Sequence, residues 1–171
     1  MYSHPFIILF RRETRSKYIR NDQNNFSPKS TIMNSQKFIV GGIVGGIVYF
    51  VLGFVFYGLL LKSFFDNNGM AVNMDAMVWW AMIVSNLAAG FLFAYILSKA
   101  NVSTVGAGAA VGFIVGLLMA LSFDLAMYAI GKGMALRGIA ADVALSAVLT
   151  AITGSVIAWV LGMSKKTVAA A

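Results

Sequence analysis

The chain has no cysteine, a single histidine (His4) and a single glutamate (Glu13), and both of these lie within the first 32 residues. Residues 33–171 therefore contain no Cys or His nucleophile, and a Ser-His-Asp triad is excluded there. The ligands of a zinc site and a glycine-rich phosphate loop followed by Lys-Ser/Thr are also missing. We predict that the protein is not an enzyme and has no cofactor and no metal site. Disulfides are excluded.

Charge is scarce as well. Charged residues make up 11% of the chain and hydrophobic residues 60%, against about 25% and about 45–50% in ordinary soluble domains. A chain of 171 residues has too much surface for its volume to bury so many apolar side chains within itself. The excess must face lipid, so the sequence predicts an integral membrane protein whose main partner is the lipid bilayer.

The net charge of +7 is unevenly distributed. The first 32 residues hold six basic and two acidic residues, a net +4, and residues 33–171 hold only +3. Both prolines precede Met33 and all seventeen glycines follow it, which indicates a boundary at this point. Residues 1–32 form either a disordered basic arm that contacts anionic lipid headgroups or a stretch ahead of the true start at Met33. We favour the second interpretation, because the membrane signal begins directly after Met33.

Uncharged apolar runs of 18 or more residues are typical of transmembrane helices. The predicted spans are 38–61, 76–97, 106–130 and 139–161, all within a membrane domain of residues 33–171. Short connections make consecutive helices antiparallel. The predicted fold class is an all-α membrane protein with four transmembrane helices in an antiparallel up-down-up-down bundle.

Basic residues at the span ends predict the orientation. Four spans place both termini on one side, and with residues 1–32 included that side carries ten basic residues against three on the other. Because cytoplasmic loops are enriched in Lys and Arg, we predict a multi-pass protein of the bacterial cytoplasmic membrane with both termini cytoplasmic. The remaining positive charge is thus a topology signal, and no nucleic-acid partner is expected.

Small residues recur at helical spacing within the spans. Gly108, Gly112 and Gly116 follow each other at steps of four in the third span, and Gly42 and Gly46 do so in the first. Residues at this spacing share one face of a helix, and small side chains there let helix backbones approach closely in lipid. We predict packing seams within the bundle. A homodimer through one glycine seam is the alternative.

Asp124 is the one charge inside the third span, about 9 Å from its end. It continues the glycine ridge, so it should face a neighbouring helix rather than lipid. The residues predicted to form a polar cluster with it are Asp142, Asn86, Tyr128, Tyr57 and Arg137. Asp124 either pairs with Arg137 to fix helix register or binds a proton or cation. We favour the structural interpretation, because one carboxylate without a second acidic or basic relay at mid-depth is little for coupled transport.

The segment FVLGFVFY at residues 50–57 is similar to an F-x-x-G-x-x-W/F-Y pattern in a family of small bacterial four-helix integral membrane proteins (domain of unknown function 1761). The stretches at 122–125 and 142–162 resemble the corresponding segments of that family. The resemblance covers residues 33–162 and implies a compact integral membrane protein. It supplies no catalytic residues that could be carried over to this chain. The sequence thus predicts a structural or accessory, non-enzymatic membrane protein. The alternative is a small proton- or cation-linked transporter or channel subunit that uses Asp124.

Overall fold

A computed structural model of the chain describes residues 35–71, 73–131 and 133–163. Within these ranges the regular secondary structure is all helical and no strand is present, which confirms the predicted all-α class. The predictions made for residues 1–32, and for the basic residues near the C-terminus, lie outside the described residues.

Five α-helices and one π-helical segment follow each other along the described chain. They are α1 (Ser35–Gly53), the π-helical segment (Phe54–Leu60), α2 (Lys62–Asn67), α3 (Trp79–Lys99), α4 (Val105–Ile130) and α5 (Leu136–Gly162). The π-helical segment continues α1 without a break. Four stretches are long and apolar enough to cross a membrane: Ser35–Leu60, Trp79–Lys99, Val105–Ile130 and Leu136–Gly162. The four predicted apolar helices are thereby confirmed, with ends shifted by up to three residues.

Local hydrogen bonds explain where α3 and α4 begin. The Asn73 side-chain oxygen accepts the backbone N–H groups of Asp75 and Ala76, at 3.1 and 3.2 Å. Such a turn offers the backbone an alternative to helix, so α3 begins at Trp79 instead of residue 76. At the start of α4 the Thr104 hydroxyl accepts the Ala107 N–H at 3.4 Å, as an N-cap residue does.

Helix α2 lies in a stretch that the sequence predicts to be a plain connection. Phe65 is only 1% exposed, and its ring centroid lies 5.0 Å from that of Tyr57. Lys62 and Asp66 form an ion pair at 2.6 Å one turn apart. A six-residue helix is too short to be stable alone, so the burial of Phe65 against the π-helical segment accounts for it.

Glycines set the distance between α4 and α5. Gly108, Gly112 and Gly116 are all buried. A Cβ atom at Gly112 would meet the backbone carbonyl of Thr150, and one at Gly108 would meet the carbonyl oxygen of Gly154. The two backbones are therefore close enough that no larger residue fits without displacing a helix.

Helices α1 and α3 approach in the same way. A Cβ atom at Gly90 would meet the Gly46 nitrogen and the Gly42 carbonyl oxygen. Gly42 itself faces the ring of Phe91. Gly90 of α3 thus completes, from the opposite helix, the packing seam that the sequence predicted from Gly42 and Gly46 of α1.

Helix α5 is the centre of the arrangement, since it contacts α1, α3 and α4, whereas α4 packs mainly on α5 and meets α3 at few points. The buried core joins α3 to α5 and consists of Phe93, Ala94, Leu97 and Ile157. Many large apolar side chains point outward, among them Trp80, which is 71% exposed. The sparse contact between α3 and α4 leaves room for a cleft beside α5.

Candidate functional site

The cleft holds a cavity of about 370 Å³ to which α1, the π-helical segment, α3, α4 and α5 contribute. Its polar lining residues are Tyr49, Tyr57, Asp124, Asp142, Ser146 and Thr150. The first two come from α1 and its continuation, Asp124 from α4 and the other three from α5. The sequence predicted three of these residues as members of one cluster, and the fold brings those three together.

Asp124 is only 3% exposed. It lies at a step of eight from Gly116, so the ridge that brings α4 onto α5 also directs this carboxyl into the cavity. One of its oxygens, Oδ2, is buried and has no hydrogen-bond partner among the described residues. An unsatisfied buried carboxyl group is costly, and an ionisable residue within a membrane span is a functional candidate by default.

Asp142 is the second acid of the cavity and lies near the start of α5, half-buried. It lines the same cavity as Asp124 and Tyr57, so the two carboxyl groups lie near each other and near the tyrosine hydroxyl. Two carboxyl groups hydrogen-bond to each other only when one of them carries a proton, since an ionised carboxylate accepts but does not donate. The pair therefore has a place for one proton or for another positive charge.

Tyr57 reaches the cavity from the π-helical segment. Its hydroxyl lies 3.1 Å from the Ser146 hydroxyl of α5, and its ring packs on Phe65. Turns of this wide kind are rare and occur frequently at functional sites. They present side chains in a different rotation from a regular α-helix. The segment thus decides which side chain of the first span faces Asp142.

The described lining of the cavity is acidic. No Lys, Arg or His lines it in the part of the chain that the structure describes. Arg137, predicted as a partner of Asp124, is exposed and lies outside the cavity. Tyr128 is 43% exposed and is also outside it.

A second cavity of about 600 Å³ adjoins the first. The two share the lining residues Tyr49, Tyr57, Met119 and Phe123. Asn86 lines this second cavity, and its amide donates to the Met82 carbonyl of its own helix at 2.7 Å. Phe54 and three methionines, Met74, Met77 and Met82, complete much of the wall. The cleft therefore has an acidic end at Asp124 and Asp142 and a wider end rich in aromatic rings and thioethers.

Sequence reasoning did not include Tyr49 and Ser146 in the cluster. The signal for Ser146 was its position one turn after Asp142, which places both on one face of α5. The spacing between Tyr49 and Tyr57 did not show whether the two side chains share one face of the helix, because the π-helical segment that contains Tyr57 changes the helical register. Periodicity from a regular α-helix does not apply across such a segment.

No protein-family model, curated protein or solved structure matches the chain. What the site does must be argued from its own geometry. That geometry provides one buried acid with an open hydrogen-bonding position, a second acid beside it and two tyrosine hydroxyls. Two carboxyl groups placed side by side disfavour their doubly charged form, and a shared proton or a cation offsets this repulsion.

Proposed function

We propose that the protein is a multi-pass protein of the bacterial cytoplasmic membrane, folded as an antiparallel up-down-up-down bundle with both termini cytoplasmic. Four helices of sufficient length and hydropathy support insertion, and so do the large apolar side chains on the outer faces, which lipid would cover. The orientation depends on the distribution of Lys and Arg. The same features agree with the predicted resemblance to small four-helix bacterial membrane proteins.

Contacts between the helices support the antiparallel order. Along α4 and α5, Gly108 lies opposite Ala158 whereas Gly116 lies opposite Thr150, so one number rises as the other falls. The connections 62–75 and 131–138 also meet, since the Ala135 N–H donates to the Asn68 carbonyl at 3.0 Å. An up-down-up-down bundle requires these two connections to lie on one side of the membrane.

Within this bundle, the proposed role is that of a small proton- or cation-linked transporter or channel subunit, without enzymatic activity. The observation that carries it is the buried Asp124 carboxyl, whose Oδ2 has no hydrogen-bond partner, beside Asp142 in a cavity that no basic residue of the described chain lines. Two acids in such surroundings need a compensating positive charge, which a proton or a mobile cation supplies. Asp142, which the sequence already placed in the predicted cluster, lines the cavity with Asp124 and supplies the second acidic group that such a role needs.

The test is flux through the purified full chain in liposomes that contain a dye sensitive to the ion whose gradient is applied. Gradients of H⁺, Na⁺ and K⁺ are applied one at a time, with and without a membrane potential. We expect flux under at least one gradient, and a reduction of about tenfold or more in Asp124→Asn and in Asp142→Asn. Asp75→Asn makes the same chemical change at an exposed position outside the cleft and should leave flux unchanged.

Wild-type protein that is inactive under every gradient would contradict the transport role, and so would equal loss of flux in Asp75→Asn. The second candidate is a structural or accessory membrane protein in which the two acids only hydrogen-bond across α4 and α5. The close glycine packing of those helices favours it, because a rigid α4–α5 unit moves little. Absence of flux together with strong destabilisation by Asp124→Leu would support this second role.

A further inference from the structure

We infer that the cleft binds a lipophilic organic cation, such as an amine or quaternary ammonium group attached to an apolar body, with the charge at Asp124 and Asp142 and the body in the adjoining cavity. This inference rests on the proposed cation-linked role and specifies the chemical class of its ligand. Three properties of the cleft support it: its charge, its size and the kind of side chains in its wider part.

The charge of the cleft selects for cations. The polar groups that line the acidic cavity with Asp124 are Asp142, Ser146 and Thr150 from α5 and the two tyrosines from α1 and its continuation, and the described lining from α3 is uncharged. No basic side chain lines either cavity within residues 35–71, 73–131 and 133–163. An anionic ligand would meet two acids without compensation, whereas a cation compensates the Asp124 carboxyl, whose buried Oδ2 has no hydrogen-bond partner.

The size of the cleft exceeds what a proton or a bare metal ion needs. The acidic cavity measures about 370 Å³ and the adjoining one about 600 Å³, within the usual range of about 300–1,000 Å³ for small-molecule sites. Groups of three or more His, Cys, Asp or Glu suited to a metal ion are absent from the described residues. An inorganic ion would therefore occupy the acidic end and leave the larger cavity without a role.

The wall of the wider cavity is of the kind that binds an apolar cation. Tyr49, Tyr57 and Phe123 stand where the two cavities meet, so a cation at the acids also lies near aromatic faces, which attract it. Beyond them the methionines Met74, Met77 and Met82 line the cavity. Unbranched thioethers adapt to apolar groups of different shape. The lining thus favours a ligand with a charged head and an apolar body.

Binding is measured by titration calorimetry on the detergent-solubilised full chain with three probes. Benzyltrimethylammonium carries both charge and ring. Neopentylbenzene has the same shape without the charge, and tetramethylammonium has the charge without the ring. We expect benzyltrimethylammonium to bind at least tenfold more tightly than either of the others. Asp124→Asn should weaken its binding at least tenfold and Asp75→Asn should not change it.

A second variant tests the wider cavity without touching the acids. Met82→Ala shortens a side chain in that wall and should weaken benzyltrimethylammonium severalfold while tetramethylammonium is unaffected. Both variants are first checked for an unchanged elution volume and melting temperature. Equal binding of neopentylbenzene, or unchanged binding in Asp124→Asn, would overturn the inference, because either result means partition into an apolar space.

The outcomes separate this inference from the proposed function. If Asp124-dependent flux of H⁺, Na⁺ or K⁺ is found and benzyltrimethylammonium does not bind, the ligand class is wrong and the cation-linked role stands. If benzyltrimethylammonium binds in an Asp124-dependent way and no gradient drives flux, the ligand class is supported and the transport role fails.

Discussion

The hydroxyl groups of Tyr57 and Ser146 lie 3.1 Å apart although 89 positions separate the two residues along the chain. The contact joins the π-helical segment to the central helix α5, at the edge of the Asp124–Asp142 pair. It therefore couples the one irregular stretch of the first span to the acidic end of the cleft.

Removal of this hydrogen bond should destabilise the protein modestly. Tyr57→Phe keeps the ring that packs on Phe65 and removes only the hydroxyl. Because hydrogen bonds between membrane helices contribute about 0.6 kcal/mol on average and about 1.7 at most, we expect a loss of about 1 kcal/mol. The free energy of unfolding in mixed micelles measures it. Tyr128→Phe, at an exposed tyrosine outside both cavities, should change nothing.

A double-mutant cycle shows whether the loss belongs to this pair. Ser146→Ala alone should cost about as much as Tyr57→Phe, within about 0.5 kcal/mol, and the double variant should cost little more than either single one. Full additivity of the two losses would mean that the hydroxyl groups do not interact in the folded protein.

The contribution of Asp124 to the stability of the protein should depend on its ability to form a hydrogen bond more than on its charge. Asp124→Asn retains a group that can donate to Asp142, so its stability should stay within about 1 kcal/mol of the wild type. Asp124→Leu leaves the Asp142 carboxyl against an apolar side chain and should cost about 2–3 kcal/mol. Melting temperatures of the two variants, with Asp75→Asn as the exposed control, make the comparison. Equal stability of the Leu and Asn variants would show that Asp142 does not need this partner.

The seam between α4 and α5 should accept no methyl group at its centre. In Gly112→Ala the new Cβ meets the Thr150 carbonyl and the Ala151 Cα, which are backbone atoms and cannot rotate away. Overpacking of this kind costs about 1–3 kcal/mol. Gly106→Ala lies in the same helix with nothing within 4 Å of the added atom, so we expect equal or slightly higher stability. Destabilisation of the same size in both variants would indicate a helix-propensity effect rather than contact.

The four long helices could be predicted from the sequence because uncharged runs of this length have few other physical solutions. That Asp124 faces a neighbouring helix followed as well, since it continues the ridge of Gly108, Gly112 and Gly116 on one face of α4. Both inferences need only regular helical geometry and the cost of exposed polar groups in lipid.

The rest depended on tertiary contacts that periodicity does not contain. Gly90 stands four residues from Ala94, and both are buried, but only the approach of α1 shows that Gly90 completes its seam. Helix α2 forms because Phe65 finds a buried site on the π-helical segment, which no local pattern encodes. Arg137 and Asp142 were both predicted to lie near Asp124, and only Asp142 lines the cavity with it. Periodicity alone does not choose between them.

The orientation of the bundle can be tested with single cysteines, because the natural chain contains none. Asp75→Cys lies in the first of the two connections that meet through Ala135 and Asn68, and Leu136→Cys lies at the end of the second; both positions are exposed. Ala100→Cys is an exposed position at the opposite end of α3. The excess of Lys and Arg near the termini predicts that an impermeant maleimide labels the first two in intact cells and the third only in inverted vesicles. Acidic residues carry little weight in the positive-inside rule, so replacing Asp75 should not itself invert the topology of the protein.

Labelling of Asp75→Cys and Leu136→Cys from opposite sides would contradict the antiparallel bundle. Labelling of both only from the cytoplasm would reverse the orientation and leave the bundle intact.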